Sequence, residues 1–260
     1  PNDFEVGRRH NLPEICIMHD DATIDCKGSK YDGMDRYEAR KAMVEDLKKQ
    51  GLLVKVVPHS HNVGTHDRCK TTVEPMVKQQ WFVRMEEMAK PALAPLKNGD
   101  LKFVPESFGK TYLHWLEGIR DWCISRQRKW GVPIPIFFCK ECGEPYINKE
   151  AMMAVSELFR QEGSDAWFKK SASEILPEGT KCPKCGGTDF DKEKDIMDVC
   201  FDSGVTHAAV CGQRPNLRRP ADLYLEGADQ YRGWFQSSLL TSVATTGEAP
   251  YKAVVTHGWV

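Results

Sequence analysis

The sequence predicts a mixed α/β fold built on a parallel sheet, with a metal-bound insert ahead of its last strands. Three observations predict it. Residues 223–225 and 253–256 are short apolar or β-branched runs, and residues 229–243 between them carry a helical pattern. Strand, helix, strand in that order is the unit that builds parallel sheets. Two Cys-x-x-Cys-Gly strings, Cys139/Cys142 and Cys182/Cys185, precede it.

The remaining elements follow in chain order. Asn2 and Asp3 can cap a helix through Arg9, with Asn11 closing it. Residues 15–18 are an apolar run suited to a strand, and residues 20–33 are polar and turn-rich. Residues 35–50 have helical spacing, with Ala39, Met43 and Leu47 on one face and Gly51 as the stop. Residues 52–57 read as a strand ended by Pro58, and residues 59–71 as a polar loop. Residues 80–85 alternate as a strand would, residues 86–96 read as a helix despite two prolines, and residues 101–104 are extended. Residues 110–122 form an amphipathic pattern presenting Leu113, Leu116 and Ile119. Residues 132–138 are extended and run into Cys139, while residues 150–162 and 172–176 are helical stretches between the two cysteine pairs.

Composition narrows the class. At 260 residues and 41% apolar content the chain can build one large core or two modest ones. A formal charge of -1 neither requires nor excludes a nucleic-acid partner, because binding depends on local patches. No run of about 18 apolar residues is present, so no membrane span is expected, and no signal peptide is visible. The start at Pro1 and the apolar run at Val260 suggest a piece of a longer chain.

Ten cysteines could indicate a disulfide framework, but four of them sit in matched Cys-x-x-Cys turns. That spacing reads as metal ligation in a reducing, cytoplasmic setting. Structural Zn²⁺ takes four ligands in a tetrahedron, often thiolates, and a glycine after each pair lets the backbone turn its amides toward the sulfurs. Four protein ligands leave no open position, which argues against catalysis by the metal. Unliganded thiols are the other reading. Cys16, Cys26, Cys69, Cys123, Cys200 and Cys211 have no partner spacing and read as small apolar residues.

Ligands of open parallel sheets bind at the carboxyl ends of strands. Glu226 stands at such an end, Gly227 allows close backbone approach, and Asp229 and Gln230 open the next helix. His257 follows the last strand in the same way. A helix cap with a surface glutamate, and a solvated loop histidine, are the structural alternatives. Residues 125–130, Ser-Arg-Gln-Arg-Lys-Trp, interleave basic groups with an aromatic and could meet phosphate and a base, or form a solvated turn.

These strings resemble one family. Asp-Trp-Cys-Ile-Ser-Arg-Gln-Arg-Lys-Trp-Gly-Val-Pro-Ile at residues 121–134 resembles class I aminoacyl-tRNA synthetases for branched aliphatic amino acids. Asp-Val-Cys-Phe-Asp-Ser-Gly at 198–204 and Leu-Glu-Gly-Ala-Asp-Gln-Tyr-Arg-Gly-Trp-Phe at 225–235 resemble the isoleucyl members. Asn-Asp-Phe-Glu-Val-Gly-Arg-Arg-His-Asn-Leu-Pro at 2–13, Thr-Val-Glu-Pro-Met at 72–76, Gln-Trp-Phe-Val-Arg at 80–84 and Lys-Thr-Tyr-Leu-His-Trp-Leu at 110–116 look more valyl-like.

The resemblance implies a layout: residues 1–57 as the end of an inserted editing domain, 58–138 as a return segment, 139–194 as a zinc-binding connective insert, and 195–260 as the second half of a Rossmann catalytic domain. It implies that Asp3 holds the ammonium group of a misattached amino acid, that Glu226, Gly227, Asp229, Gln230 and His257 surround an aminoacyl-adenylate, and that Trp234 walls the side-chain pocket. Cys200 stands where the isoleucyl pattern has a second tryptophan.

The implied activity is ATP-dependent activation of isoleucine, or of valine, and transfer to tRNA. ATP is a substrate, Mg²⁺ assists, the Zn²⁺ is structural, and the full-length enzyme is a cytoplasmic monomer without a membrane partner. Editing is expected because one methylene yields only about 1–3 kcal/mol of discrimination, isoleucine against valine being the standing example. The His-Ile-Gly-His and Lys-Met-Ser-Lys-Ser signatures that handle ATP phosphates are absent, so these 260 residues alone are expected to be inactive. A reading of another class is a non-catalytic zinc-ribbon module that binds tRNA.

Overall fold

The structure is a computed structural model describing residues 2–258, and it divides into two compact units between Gln79 and Gln80.

In the first unit, α1 (Asn2–Arg9) carries Asp3 and Glu5 in its first turn and Arg8 and Arg9 in its last, a charge order that suits the helix dipole. Asn11 follows in the left-handed region at φ 51°. The second helix, α2 (Arg36–Lys49), is set by its ends. Asp35 accepts from the Tyr37 and Glu38 amides at 2.8 and 3.3 Å, and Gly51 leaves at φ 71°. Of its predicted inner face only Ala39 is buried, while Met43 and Leu47 are exposed.

Two expected strands are missing from this unit. Residues 15–18 form only a single bridge, Met18 to Ile24, and residues 52–57 are irregular, with Val54 93% exposed. Both runs have the composition of strands. Composition becomes a strand only against a neighbour paired along its length, and among the described residues neither run has more than the one bridge.

The second unit opens with β1 (Phe82–Val83) and α3 (Met85–Lys97), which keeps Pro91 and Pro95 inside it and buries Met85, Ala89 and Ala92. Next come β2 (Lys102–Val104), α4 (Ser107–Glu117), β3 (Trp122–Cys123) and β4 (Ser125–Arg126). The helix expected over 110–122 therefore starts earlier and stops at Gly118. Trp122 belongs to β3, antiparallel to β1.

The insert has β5 (Phe137–Cys139), β6 (Pro145–Tyr146), α5 (Lys149–Glu162), α6 (Ala166–Lys169), α7 (Ala172–Ile175) and β7 (Phe190–Lys192). Its strands form an antiparallel sheet in the order β6-β5-β7. The helices close over Phe137, Val155, Trp167 and Phe190, and the Trp167 indole N–H donates to the Glu193 carbonyl at 3.0 Å.

Beyond it lie β8 (Ile196–Met197), α8 (Val199–Gly204), a π-helical turn His207–Cys211, β9 (Tyr224–Gly227), a 3₁₀ turn Ala228–Arg232, α9 (Trp234–Thr246) and β10 (Ala253–His257). The parallel sheet has the order β2-β10-β9, with Val254 between Phe103 and Tyr224 in register. Helices α3, α4 and α9 share one buried core with it. The helix expected over 229–243 is two pieces, a 3₁₀ turn and α9, broken at Gly233. A Cβ there would lie 2.5 Å from the Gln230 side-chain oxygen, so a larger residue would push aside the group that accepts the Trp234 amide. Among the described residues no helix is long and apolar enough to cross a membrane.

Candidate functional site

Two matched turns build the thiol cluster. The Cys139 amide donates to Glu144 O at 3.0 Å and Gly143 N–H to Cys139 O at 2.8 Å. In the second turn Cys182 N–H meets Gly187 O at 2.8 Å and Gly186 N–H meets Cys182 O at 2.9 Å. Gly143 and Gly186 take φ 72° and 80°, which a side chain would strain. The turns face each other, with Cys139 Sγ 3.5 Å from Cys185 Sγ and Cys142 Sγ 3.6 Å from Cys182 Sγ, and all four sulfurs within 4.8 Å.

Tetrahedral zinc with bonds of about 2.3 Å needs sulfurs about 3.8 Å apart, so the four thiols fit a Zn²⁺ ion. The amides of Cys185 and Lys184 hold the Cys182 thiol down at about 7. The Gly187 amide favours the Cys185 thiolate, but the Cys139 and Cys142 thiols prevail and push it up to about 12. Four thiols this close cannot all ionise without a cation. Nearby, Lys184 pairs with Glu144 at 2.6 Å and Lys140 with Asp189 at 3.1 Å on the exposed side of the turns.

The strand ends form a second cluster. Parallel register sets Glu226 beside Thr256 and Gly227 beside His257. A Glu226 carboxylate oxygen is 3.7 Å from His257 Nε2 and accepts from the Gly227 amide at 3.0 Å. Gln230 donates to Asp229 at 3.1 Å and accepts the Trp234 amide at 2.8 Å. Glu226, Gly227, Asp229, Gln230 and His257 thus converge where β9 and β10 end. The Trp234 ring is stacked on Tyr224 at 4.0 Å, with its indole N–H donating to Ser203 O at 3.1 Å. Asp3 lies in the first unit, in the exposed opening turn of α1.

A cavity of about 680 Å³ was not foreseen from the sequence; Trp115, Trp122, Arg126, Asp198, Cys200 and Arg232 line it. Asp198 is its anchor. Its carboxylate accepts from the Arg126 guanidinium, from Trp122 Nε1 at 3.3 Å and from the Cys200 amide at 2.8 Å, capping α8. Arg126 also donates to the carbonyls of Cys123 and Ser125, each at 2.8 Å. The basic string at 125–130 is therefore divided. Arg126 is a structural tie, while Trp130 stands 94% exposed. Its partner Arg126 lies 72 residues away, a pairing that no local signal in the sequence discloses.

Two groups behind this cavity shift in opposite directions. Burial, with a contribution from Arg219, lowers His207 to about 4, and burial together with Asp198 raises Asp202 to about 6. Between pH 6.5 and 4 the unfolded chain protonates His207 and the folded chain does not, so this group removes stability as pH falls. Between pH 6 and 3.8 Asp202 works the other way, because the folded form holds the extra proton. Replacing His207 by Gln should therefore reduce the stability lost between pH 7 and pH 5, read from urea midpoints at each pH. Equal losses in parent and variant would rule this role out.

Residues 3–260 match the family model described as tRNA synthetases class I (I, L, M and V), and the chain belongs to that family. Among curated relatives it is 49% identical over 258 residues to the isoleucine–tRNA ligase of Caldanaerobacter subterraneus subsp. tengcongensis, covering 99% of this chain and 27% of that protein. It is 48% identical over 262 residues to that of Carboxydothermus hydrogenoformans, covering 99% and 28%. The isoleucyl likeness thus covers the N-terminal part as well as the C-terminal part, and the chain spans about a quarter of the length of these relatives. A solved methionyl-tRNA synthetase of Mycobacterium tuberculosis, bound by methionyl-adenylate, aligns with a TM-score of 0.42 at 18% identity, over 75% of this chain and 29% of that one.

Proposed function

We propose that this chain is the part of an isoleucine–tRNA ligase that carries one wall of the aminoacyl-adenylate site and its zinc-bearing insert. The observation that carries this reading is the convergence of Glu226, Gly227, Asp229, Gln230 and His257 at the ends of two parallel strands, in a chain 49% identical to isoleucine–tRNA ligases. In the complete enzyme the isoleucine carboxylate attacks the α-phosphate of ATP, pyrophosphate leaves with Mg²⁺ assisting, and the acyl group passes to the 3′ end of tRNA.

Each residue has a task matched to its chemistry. Glu226 accepts from an ammonium group or ribose hydroxyls. Gly227 lets the ligand approach the backbone, Asp229 and Gln230 supply polar contacts at the turn, and His257 flanks them from β10. Trp234 walls the amino-acid side chain. In the layout that goes with this reading, residues 195–260 are the second half of a Rossmann domain, 139–194 the insert and 1–57 the tail of an editing domain where Asp3 meets a misattached amino acid. A bound Zn²⁺ supplies cross-linking of the insert and no step of the chemistry, because its four positions are filled by thiolates. The enzyme acts in the cytoplasm.

The test is amino-acid-dependent ATP–pyrophosphate exchange. The full-length enzyme should exchange with isoleucine at least about 100-fold better than with valine, near what one methylene allows, and these 260 residues alone should not exchange at all. A valine preference, or exchange by the isolated chain, would overturn the reading.

A further inference from the structure

We propose that Tyr224 is a positioning residue for amino-acid recognition, because its ring fixes the plane of the Trp234 indole. The inference rests on the reading that Trp234 walls the amino-acid side-chain pocket.

Trp234 is the first residue of α9, directly after the break at Gly233. Three contacts define it. Its amide is held by the Gln230 side-chain oxygen at 2.8 Å, its indole N–H by the Ser203 carbonyl at 3.1 Å, and one ring face by Tyr224, with centroids 4.0 Å apart and planes 13° apart. The first contact fixes where the side chain leaves the helix, and the second fixes the edge that points at α8. Neither stops the ring from rolling about that edge. The Tyr224 face does, by offering one broad apolar surface to lie on. A recognition wall that rolls blurs the difference between side chains one methylene apart, so its supporting contacts matter for specificity.

Tyr224 is itself well anchored. It is 3% exposed, opens β9, pairs in register with Val254 and packs against Tyr251 with centroids 4.6 Å apart. Its buried hydroxyl faces Ser238, and the two form no hydrogen bond of good geometry. The ring, and not the hydroxyl, is the working part. Phenylalanine should therefore serve as well, which a role in hydrogen bonding would not permit.

The experiment uses the full-length enzyme and steady-state exchange kinetics. Y224L and Y224M should raise KM for isoleucine about threefold to tenfold, the worth of one aromatic pair, with KM for ATP and kcat unchanged. Y224F should match the parent. W234L should raise the isoleucine KM further, and Y224L/W234L should be no worse than W234L, since both act through one indole. If Y224L fails to fold, Y224M carries the comparison. An isoleucine KM within twofold of the parent in the folded variants would overturn the proposal, as would a parallel rise in the ATP KM or additivity with W234L. If W234L itself leaves the isoleucine KM unchanged, the reading of Trp234 falls and the proposal with it. If W234L raises KM while the Tyr224 variants do not, Tyr224 alone is dismissed.

Discussion

Replacing Cys182 by Ser is expected to abolish zinc retention and to open the insert to proteolysis, with the parallel-sheet part of the second unit left folded. The reason lies in how little else holds the insert together. Its sheet has three strands of two or three residues, and two of the buried groups in its core, Cys139 and Cys182, are themselves candidate ligands. Structural zinc sites in small peptides contribute about 10–16 kcal/mol of apparent binding free energy, as much as the whole stability of an ordinary domain, about 5–15 kcal/mol. Serine at 182 leaves three thiols and a hydroxyl that does not ionise near neutral pH. The parent should carry one zinc equivalent, measured by metal analysis after desalting, and a strong chelator should reproduce the protease pattern of the variant. Zinc retained in the variant, or a chelated parent as resistant as the metal-bound one, would refute this account.

The features that the sequence disclosed are those with local causes. Helix α2 was readable because Asp35 and Gly51 set its two ends within the same stretch of chain, and α5 likewise between Asn148 and Gly163. The thiol cluster was readable because each Cys-x-x-Cys-Gly turn makes its own hydrogen bonds, so that only the meeting of the two turns needed the fold. The ends of β9 and β10 were readable because an apolar run and a β-branched run flank a helix in the order a parallel unit requires.

What escaped depends on partners far away. Residues 15–18 and 52–57 look like strands and are not, because pairing is a property of two segments. The reverse holds for β4 and β8, which are two residues each with no period to detect, yet they pair Ser125 with Met197. The break at Gly233 escaped because a 3₁₀ turn leading into an α-helix preserves the spacing of apolar residues. A lone glycine inside a helical pattern was the available signal. The large cavity escaped for the same reason as Asp198: its walls come from α3, α4, α8 and α9 and from the loop around β3, and no single stretch of sequence carries its outline.

Asp198→Ala is expected to destabilise the second unit by about 3 kcal/mol. The carboxylate closes three donors at once, and each loses something different. The Cys200 amide loses a helix cap, worth about 1 kcal/mol. Trp122 Nε1 loses its acceptor. Arg126 loses the only carboxylate within ion-pair distance of it among the described residues. Breaking a fully buried pair costs about 3–5 kcal/mol, mostly from the charge left behind. The Asp198 side chain is 11% exposed but that of Arg126 is 36% exposed, so water takes over part of the guanidinium and the lower end applies. For a unit of this size about 3 kcal/mol lowers the melting temperature by about 6–12 °C. Asp198→Asn keeps an acceptor for the cap and should lose only about half as much. The double change Asp198→Ala with Arg126→Met separates the causes. If the stranded charge is the main loss, removing it should make the double variant more stable than Asp198→Ala alone, a coupling that urea denaturation resolves. A double variant less stable than either single one would instead assign the loss to packing around Trp122, and the ion pair would no longer explain why Asp198 sits buried at the edge of the cavity.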